Sequence, residues 1–438
     1  MKRVSQLDGV RGIAILIVLV WHYFTCQIVS QPRTFISYCA HATSLTWTAG
    51  VDLFFVLSGF LIGGILLDHR DTSNYFRVFY LRRVYRIFPL YFLVLALFLA
   101  LSATSIATSP SFQSLFHDPF PLWSYATFSQ NILMGIRGDF GPGWLGITWS
   151  LAVTEQFYLS VPLLIYFLPR RILLSVLILL VLSAPILRCV LPGFAALVNT
   201  PCRGDSLLSG VVLAVLVRWH PFVSTVQQHR RLLRSLFVAM LVGAGVMTLR
   251  PVPFGAFNHS WLAGLYSLLI LIAFVGTEPR LGSLLRSSAL VWLGQLSYGI
   301  YLFHAAVGGL LHGAFGRNTL QIRTLSDAGI TILALCITIF LAAISYHFFE
   351  RPIMRFGHRF QYSRKPERQA PVGAAPKTAP SLSLISQLLS SKSQSSKTDT
   401  SNSPSSLQTP APTAVSQEPE ATSNSATPSP EPTAEITP

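Results

Sequence analysis

Apolar runs of bilayer-crossing length, about 20 residues each, recur along this chain from Ile13 to Phe349 and are separated by short polar or basic stretches. Neither strict alternation nor a soluble amphipathic period governs them, because the apolar residues continue around the whole helical circumference. The pattern predicts an all-α polytopic membrane protein of about ten transmembrane helices. The expected spans cover 11–29, 49–67, 87–107, 147–168, 172–190, 205–219, 235–250, 259–276, 290–311 and 327–349. The pair near 172–219 is short and interrupted by Pro185 and Pro192. The first run does not read as a cleaved leader: it carries Arg11 and His22, and no small-residue cleavage site follows it.

Two segments break the pattern. The longest connection between spans, Thr108 to Ile147, holds Pro110, Pro119, Pro121, Pro142, Gly141 and Gly143 with aromatics interleaved. It reads either as a packed cap or as an interfacial segment with Trp123 and Trp144 at headgroup depth. Beyond Arg368 the apolar pattern ends, and from Ala370 to Pro438 Ser, Thr and Pro dominate. Such a stretch cannot bury enough apolar surface to fold, and its one apolar patch, Leu382 to Leu389, is too short to span a bilayer. The chain therefore divides into a membrane domain, 1–360, and a disordered cytoplasmic tail, 361–438.

Composition sharpens this picture. Of 438 residues, 51% are hydrophobic and only 11% charged, against about 25% charged in a soluble protein. The net charge of +15 would suggest nucleic acid in a soluble chain. Here the basic residues gather at alternate span ends, as Lys2/Arg3, Arg70 to Arg86, Arg170/Arg171, Arg218 to Arg234, Arg280/Arg286 and Arg351 to Arg368. Positive charge of that kind marks cytoplasmic loops, so no nucleic-acid partner is expected. Both termini are therefore expected in the cytoplasm. Cys26 with Cys39, and Cys189 with Cys202, then fall near the outer face, where each pair either bridges a loop or remains as thiols. Cys336 sits mid-span as packing, and no metal-ligand spacing is present.

Ionisable groups inside hydrocarbon are costly, so those that occur are functional candidates by default. Arg11 and His22 are eleven residues apart, about 1100° of helical rotation, which returns to within about 20° of the start. Both project from one face of the first span, about 16.5 Å apart along its axis. A neutral buried imidazole can take a proton from a hydroxyl, or simply satisfy an interhelical hydrogen bond. Arg82, Arg83 and Arg86 open the third span, and guanidinium forks one turn apart suit a polyphosphate or, equally, the anionic membrane surface. Glu155, and less favourably Asp52, sits at a depth to steady an imidazolium at His22, or acts as polar glue. Arg203 and Asp205, in Arg203-Gly204-Asp205-Ser206, stand at the outer mouth of the sixth span, and His304 lies inside the ninth. The Gly-Asp-Ser string lacks the strand context of a serine esterase.

Seven strings in order resemble the acyltransferase-3 family of membrane proteins: LDGVRGIAILIVLVWH at 7–22, GVDLFFVLSGFLI at 50–62, FYLRRVYRIFPLY at 79–91, WSLAVTEQFYLSVP at 149–162, RGDSLLSG at 203–210, LSYGIYLFH at 296–304 and FFERP at 348–352. The resemblance covers about residues 5–355. It implies an acyl-CoA co-substrate, commonly acetyl-CoA, and an acceptor hydroxyl on a carbohydrate or lipid-linked glycan. It further implies Arg83 and Arg86 near the CoA phosphates and Arg11 and His22 at the reaction centre, with His22 as base or as acyl carrier. Thr154 stands where a second Glu is common, and Ala306 where a Pro is frequent. Some relatives carry a C-terminal SGNH domain. With a disordered tail, this chain acts alone or hands its acyl group to a separate periplasmic partner enzyme. Two rival readings remain at this point, a membrane transporter and an acyl-relay subunit.

Overall fold

The computed structural model describes residues 5–27, 49–191, 193–249, 255–317 and 321–363. Among them are helices and no β-strand. Ten long helices occupy the ten expected ranges: α1 Ser5–Val20, α2 Ala49–His69, α3 Tyr75–Ser102, α4 Trp149–Phe167, α5 Arg170–Val190, α6 Gly204–Leu216, α7 Arg230–Leu249, α8 Asn258–Val275, α9 Ser288–Ala314 and α10 Leu325–Ser345. With their short extensions, eight are long and apolar enough to cross a bilayer, and α6 with the bent piece His220–Gln228 would make a ninth. Three short helices, Gln113–Phe116, Leu122–Ala126 and Gln130–Arg137, build the segment between α3 and α4. Most of the expected tail lies outside the described residues, but Gln361 to Ser363 pack onto the start of α3, so the packed unit reaches past residue 360.

Lipid gives helices no hydrophobic reason to associate, so small residues that bring backbones together carry the packing. At Gly294 of α9 a methyl group would lie 1.9 Å from the Asp8 carbonyl oxygen of α1, and at Gly59 of α2 it would lie 1.8 Å from the Leu207 oxygen of α6. These glycines set the two tightest crossings around the site. Gly294→Val is expected to part α1 from α9 and cost about 1–3 kcal/mol, read as a lower melting temperature of the purified protein. A melting temperature equal to that of the native chain would contradict this.

Two helices are locally unwound into π-turns, Trp21–Thr25 at the end of α1 and Tyr346–Glu350 at the end of α10. Such turns occur often at functional sites, and these two carry His22 and Glu350. Within α3, Pro89 removes one backbone donor, and the Tyr298 hydroxyl of α9 donates to the Ile87 carbonyl at 2.7 Å beside it.

The segment between α3 and α4 is a packed cap on part of its length. Trp144 is buried against Phe98 and Phe116, whereas Trp123 is 58% exposed. Arg137 bonds Asp118 at 2.9 Å and Asp139 at 2.7 Å and lies over the Phe120 ring at 3.7 Å. The hydrogen bond from Arg137 holds the Asp139 carboxyl below its ordinary range. Cys26, Cys189, Cys202 and Cys336 are free thiols, so no bridge joins Cys189 to Cys202; Cys39 lies outside the described residues.

Candidate functional site

A cavity of about 320 Å³ runs through the bundle between α1, α2, α3, α4 and α9. At one end it is lined by Asp8, Arg11, Arg83 and Arg86, and at the other by Ser150, Thr154 and Tyr301. The wall between is apolar, with Phe55, Ile62, Ile87 and Leu151 among its residues. Three cations therefore share one mouth, where Asp8 lines the cavity with them and bonds Arg11 at 3.3 Å.

The arginines of this end divide by what they bind. Arg82 donates from Nε (2.9 Å) and Nη2 (2.5 Å) to the Phe360 carbonyl. Arg70 donates to the carbonyls of Tyr166 and Leu168, and Arg218 to Asp68 and Gly64. Arg83 and Arg86 make no hydrogen bond to any described residue, and the buried Nε of Arg83 has no partner among them. Arg83 instead lies over the rings of Tyr158 and Phe79, at 5.7 and 6.0 Å. A half-buried guanidinium without an acceptor is costly, and at one turn's spacing the two forks have the donors to take an anion. Of the three arginines expected at a polyphosphate, two are free for it, while Arg82 is committed to backbone.

At the far end Tyr301 joins its hydroxyl to Ser150 Oγ (2.8 Å) and to the Ile147 carbonyl. Next along α9 stands His304, buried, with its ring 4.7 Å from the ring of His22 at an angle of 74°. His22 Nδ1 faces the Val18 carbonyl at 2.9 Å, and His304 Nδ1 faces the Tyr301 carbonyl at 2.7 Å. A carbonyl only accepts, so in the neutral rings both protons are assigned to Nδ1. Each Nε2 is then the basic nitrogen, and that of His304 is buried with no partner among the described residues. The Tyr23 hydroxyl fixes the pair by bonding the His304 carbonyl (2.9 Å) and Thr338 Oγ1 (2.7 Å), which ties α1 to α9 and α10.

The acids do not reach His22. Glu155 lies within the field of Arg83, with one carboxyl oxygen buried and unbonded, and makes no contact with the imidazole. Asp52 turns the other way: it accepts from Arg203, from Ser206 Oγ at 2.8 Å and from His259 Nδ1 at 3.0 Å. The reading of either acid as partner to His22 is therefore corrected: Asp52 is paired with Arg203, and Glu155 forms no hydrogen bond to the imidazole. Asp205 takes both terminal nitrogens of Arg188, at 3.1 and 2.7 Å, and the Ser260 hydroxyl at 2.6 Å. Arg203 and Asp205 thus build a buried ion-pair network that joins α2, α5, α6 and α8, away from the cavity. No group of side chains suited to a metal ion occurs among the described residues.

Sequence reasoning missed Arg188, His259 and Glu350. Arg188 carried a signal, since a charge inside an expected span demands an acid partner. Glu350 bonds Ser345 Oγ at 3.0 Å within the field of Arg86, and it stood in the FFERP string without a role.

The family model described as an acyltransferase domain matches residues 4–347. A Bacillus subtilis protein that bears the name of a peptidoglycan O-acetyltransferase, YrhL, is 29% identical over 83% of this chain. The O-acetyltransferase OatA of Staphylococcus aureus is 26% identical over 81% of it. The chain spans 57% of the length of each of these curated relatives. No solved structure matches.

Proposed function

Because this chain belongs to the acyltransferase-3 family, we propose that it is an integral membrane O-acetyltransferase, moving an acetyl group from cytoplasmic acetyl-CoA to a hydroxyl of a carbohydrate acceptor such as a cell-wall polysaccharide. One observation carries the reading: one cavity connects two arginines with no hydrogen-bonded partner among the described residues to the neighbourhood of two imidazoles with basic Nε2 atoms. The names of the two relatives favour an O-linked acetyl group and, in one case, a peptidoglycan acceptor.

In this reading the phosphates of the donor lie against Arg83 and Arg86, and the pantetheine arm follows the apolar wall towards Tyr301. Extended, such an arm can bridge the roughly 16.5 Å that separates Arg11 from His22 on a straight helix. His22 Nε2 takes the proton of the acceptor hydroxyl as its oxygen attacks the thioester carbon. The carbon–sulfur bond breaks, the ester forms, and the CoA sulfur recovers a proton from the imidazolium. His304, in edge contact with His22, holds the ring in place and keeps water from it. The positive mouth faces the cytoplasm, where acyl-CoA is found, and the cap between α3 and α4 faces the acceptor.

Purified protein in lipid nanodiscs should release CoA thiol from acetyl-CoA when an acceptor saccharide is added. Arg83→Gln and Arg86→Gln should each raise the KM for acetyl-CoA by about tenfold or more, because a hydrogen bond to a charged group is worth about 1.5–3 kcal/mol. Saccharide flux across proteoliposomes without any need for acetyl-CoA would overturn the reading in favour of a transporter.

A further inference from the structure

Past α10 the chain forms a short helix, Arg351–Gly357, and then leaves helical structure as a strap, His358 to Ser363, lying across the start of α3. The strap is beyond the residues that the family model matches, yet it is held from several sides. Arg82 grips the Phe360 carbonyl through two nitrogens. Asn74 donates to the Gln361 carbonyl (2.9 Å) and accepts from the Ser363 amide (2.9 Å), and the Ser73 amide donates to the Ser363 carbonyl at 3.1 Å. The Tyr362 ring stacks on His69 at 3.8 Å, with the Arg82 guanidinium 5.2 Å from its centre. Gly357 permits the approach, since a methyl group there would meet Tyr85 Cβ at 2.8 Å.

This strap encloses a second, smaller chamber of about 80 Å³, lined by Arg83 and Arg86, with Arg82 beside them, on the α3 side and by Met354, His358 and Tyr362 on the strap side. The same two arginines line the large cavity, so they stand at the junction of the two spaces. The small chamber suits a tetrahedral oxyanion better than a ring system. Two guanidinium groups offer charge-assisted donors from one wall, and an imidazole and a phenol offer neutral donors from the other.

We propose that the strap supplies half of a phosphate site, in which His358 and Tyr362 donate hydrogen bonds to a phosphate ester of the donor that Arg83 and Arg86 hold from the opposite side. The inference rests on acyl-CoA being the donor. Arg82 also lines the chamber, but its Nε and Nη2 are committed to the Phe360 carbonyl, so its part is to fix the strap that meets the ligand. Partial desolvation, followed by the fields of Arg82, Arg86 and Arg83, shifts the exposed His358 imidazole below its ordinary range.

The test is calorimetric titration of the full chain in zwitterionic nanodiscs with two ligands, CoA and pantetheine, which shares the arm but has no phosphate. Tyr362→Phe keeps the stack on His69 and His358→Ala leaves the backbone grip of Arg82, so the strap stays docked in both. Each variant should bind CoA about tenfold more weakly, with pantetheine affinity unchanged. CoA affinity equal to that of the native chain, or an equal loss for both ligands, would overturn the site. CoA failing to bind the native chain at all would overturn the donor reading and the site with it. Competition by phosphatidylglycerol in the native chain, lost in the variants, would give the chamber to a lipid headgroup and also overturn it.

Discussion

Replacing His22 by alanine is expected to abolish acetyl-CoA turnover, by about 10²–10⁴-fold, while leaving the protein folded. Activity depends on the position of the imidazole, which sits beside His304 at the end of α1 where the helix opens into a π-turn, with Nδ1 tied down and Nε2 left basic. The fold survives because the one side-chain hydrogen bond of His22 among described residues goes to Val18, a carbonyl of its own helix. No other helix depends on that bond. Radiolabelled acetyl-CoA consumption, measured beside the melting temperature, separates the two effects. Unchanged turnover, or a collapse of melting temperature that alone explains the loss, would refute the assigned role. His304→Ala should be the milder change in rate but the more damaging one in stability, since His304 is the more deeply buried ring.

The second large effect runs in the opposite direction, damaging stability rather than chemistry. Asp52→Ala would leave Arg203, wholly buried, without its carboxylate, and would strip His259 and Ser206 of their acceptor. Breaking one side of a buried ion pair costs about 3–5 kcal/mol, because the remaining charge keeps its desolvation penalty and loses its compensation. A fall in melting temperature and in membrane yield should follow. The double replacement Asp52→Leu with Arg203→Met should be milder than Asp52→Ala alone, since it removes both charges together. A double variant as unstable as the sum of the singles would show that the pair is not what Asp52 contributes. Asp205 and Arg188 obey the same logic, with Ser260 as the third member. Arg203 and Asp205 sit in the RGDS string that resembled a catalytic signature, but their geometry gives them a structural role. They help to fasten four helices where the bilayer offers no water to solvate a loose end.

Much of this was legible in the chain's own composition and pattern. A chain with 51% hydrophobic and 11% charged residues cannot cover a water-facing surface, so membrane embedding follows from composition. Each of the ten expected ranges overlaps one of the ten long helices, because a run of about 20 apolar residues has one inexpensive conformation in lipid. Arg11, expected with His22 at the reaction centre, lines the cavity mouth with Arg83 and Arg86.

What the sequence by itself determined, then, is which segments enter the membrane and which charged residues need a partner there. Which partner each one has was decided only by the tertiary structure. Periodicity states the direction of a side chain about its own axis but not which helix lies in that direction. His22 meets His304 from the far end of the chain because Gly12 and Gly294 let α1 and α9 close on each other. Asp52 goes to Arg203 rather than to His22 because Gly59 and Gly210 press α2 onto α6. Desolvation forces every buried charge to find an opposite, but among several acids at similar depth only the crossing of helix backbones, set by the smallest residues, fixes which acid is in reach.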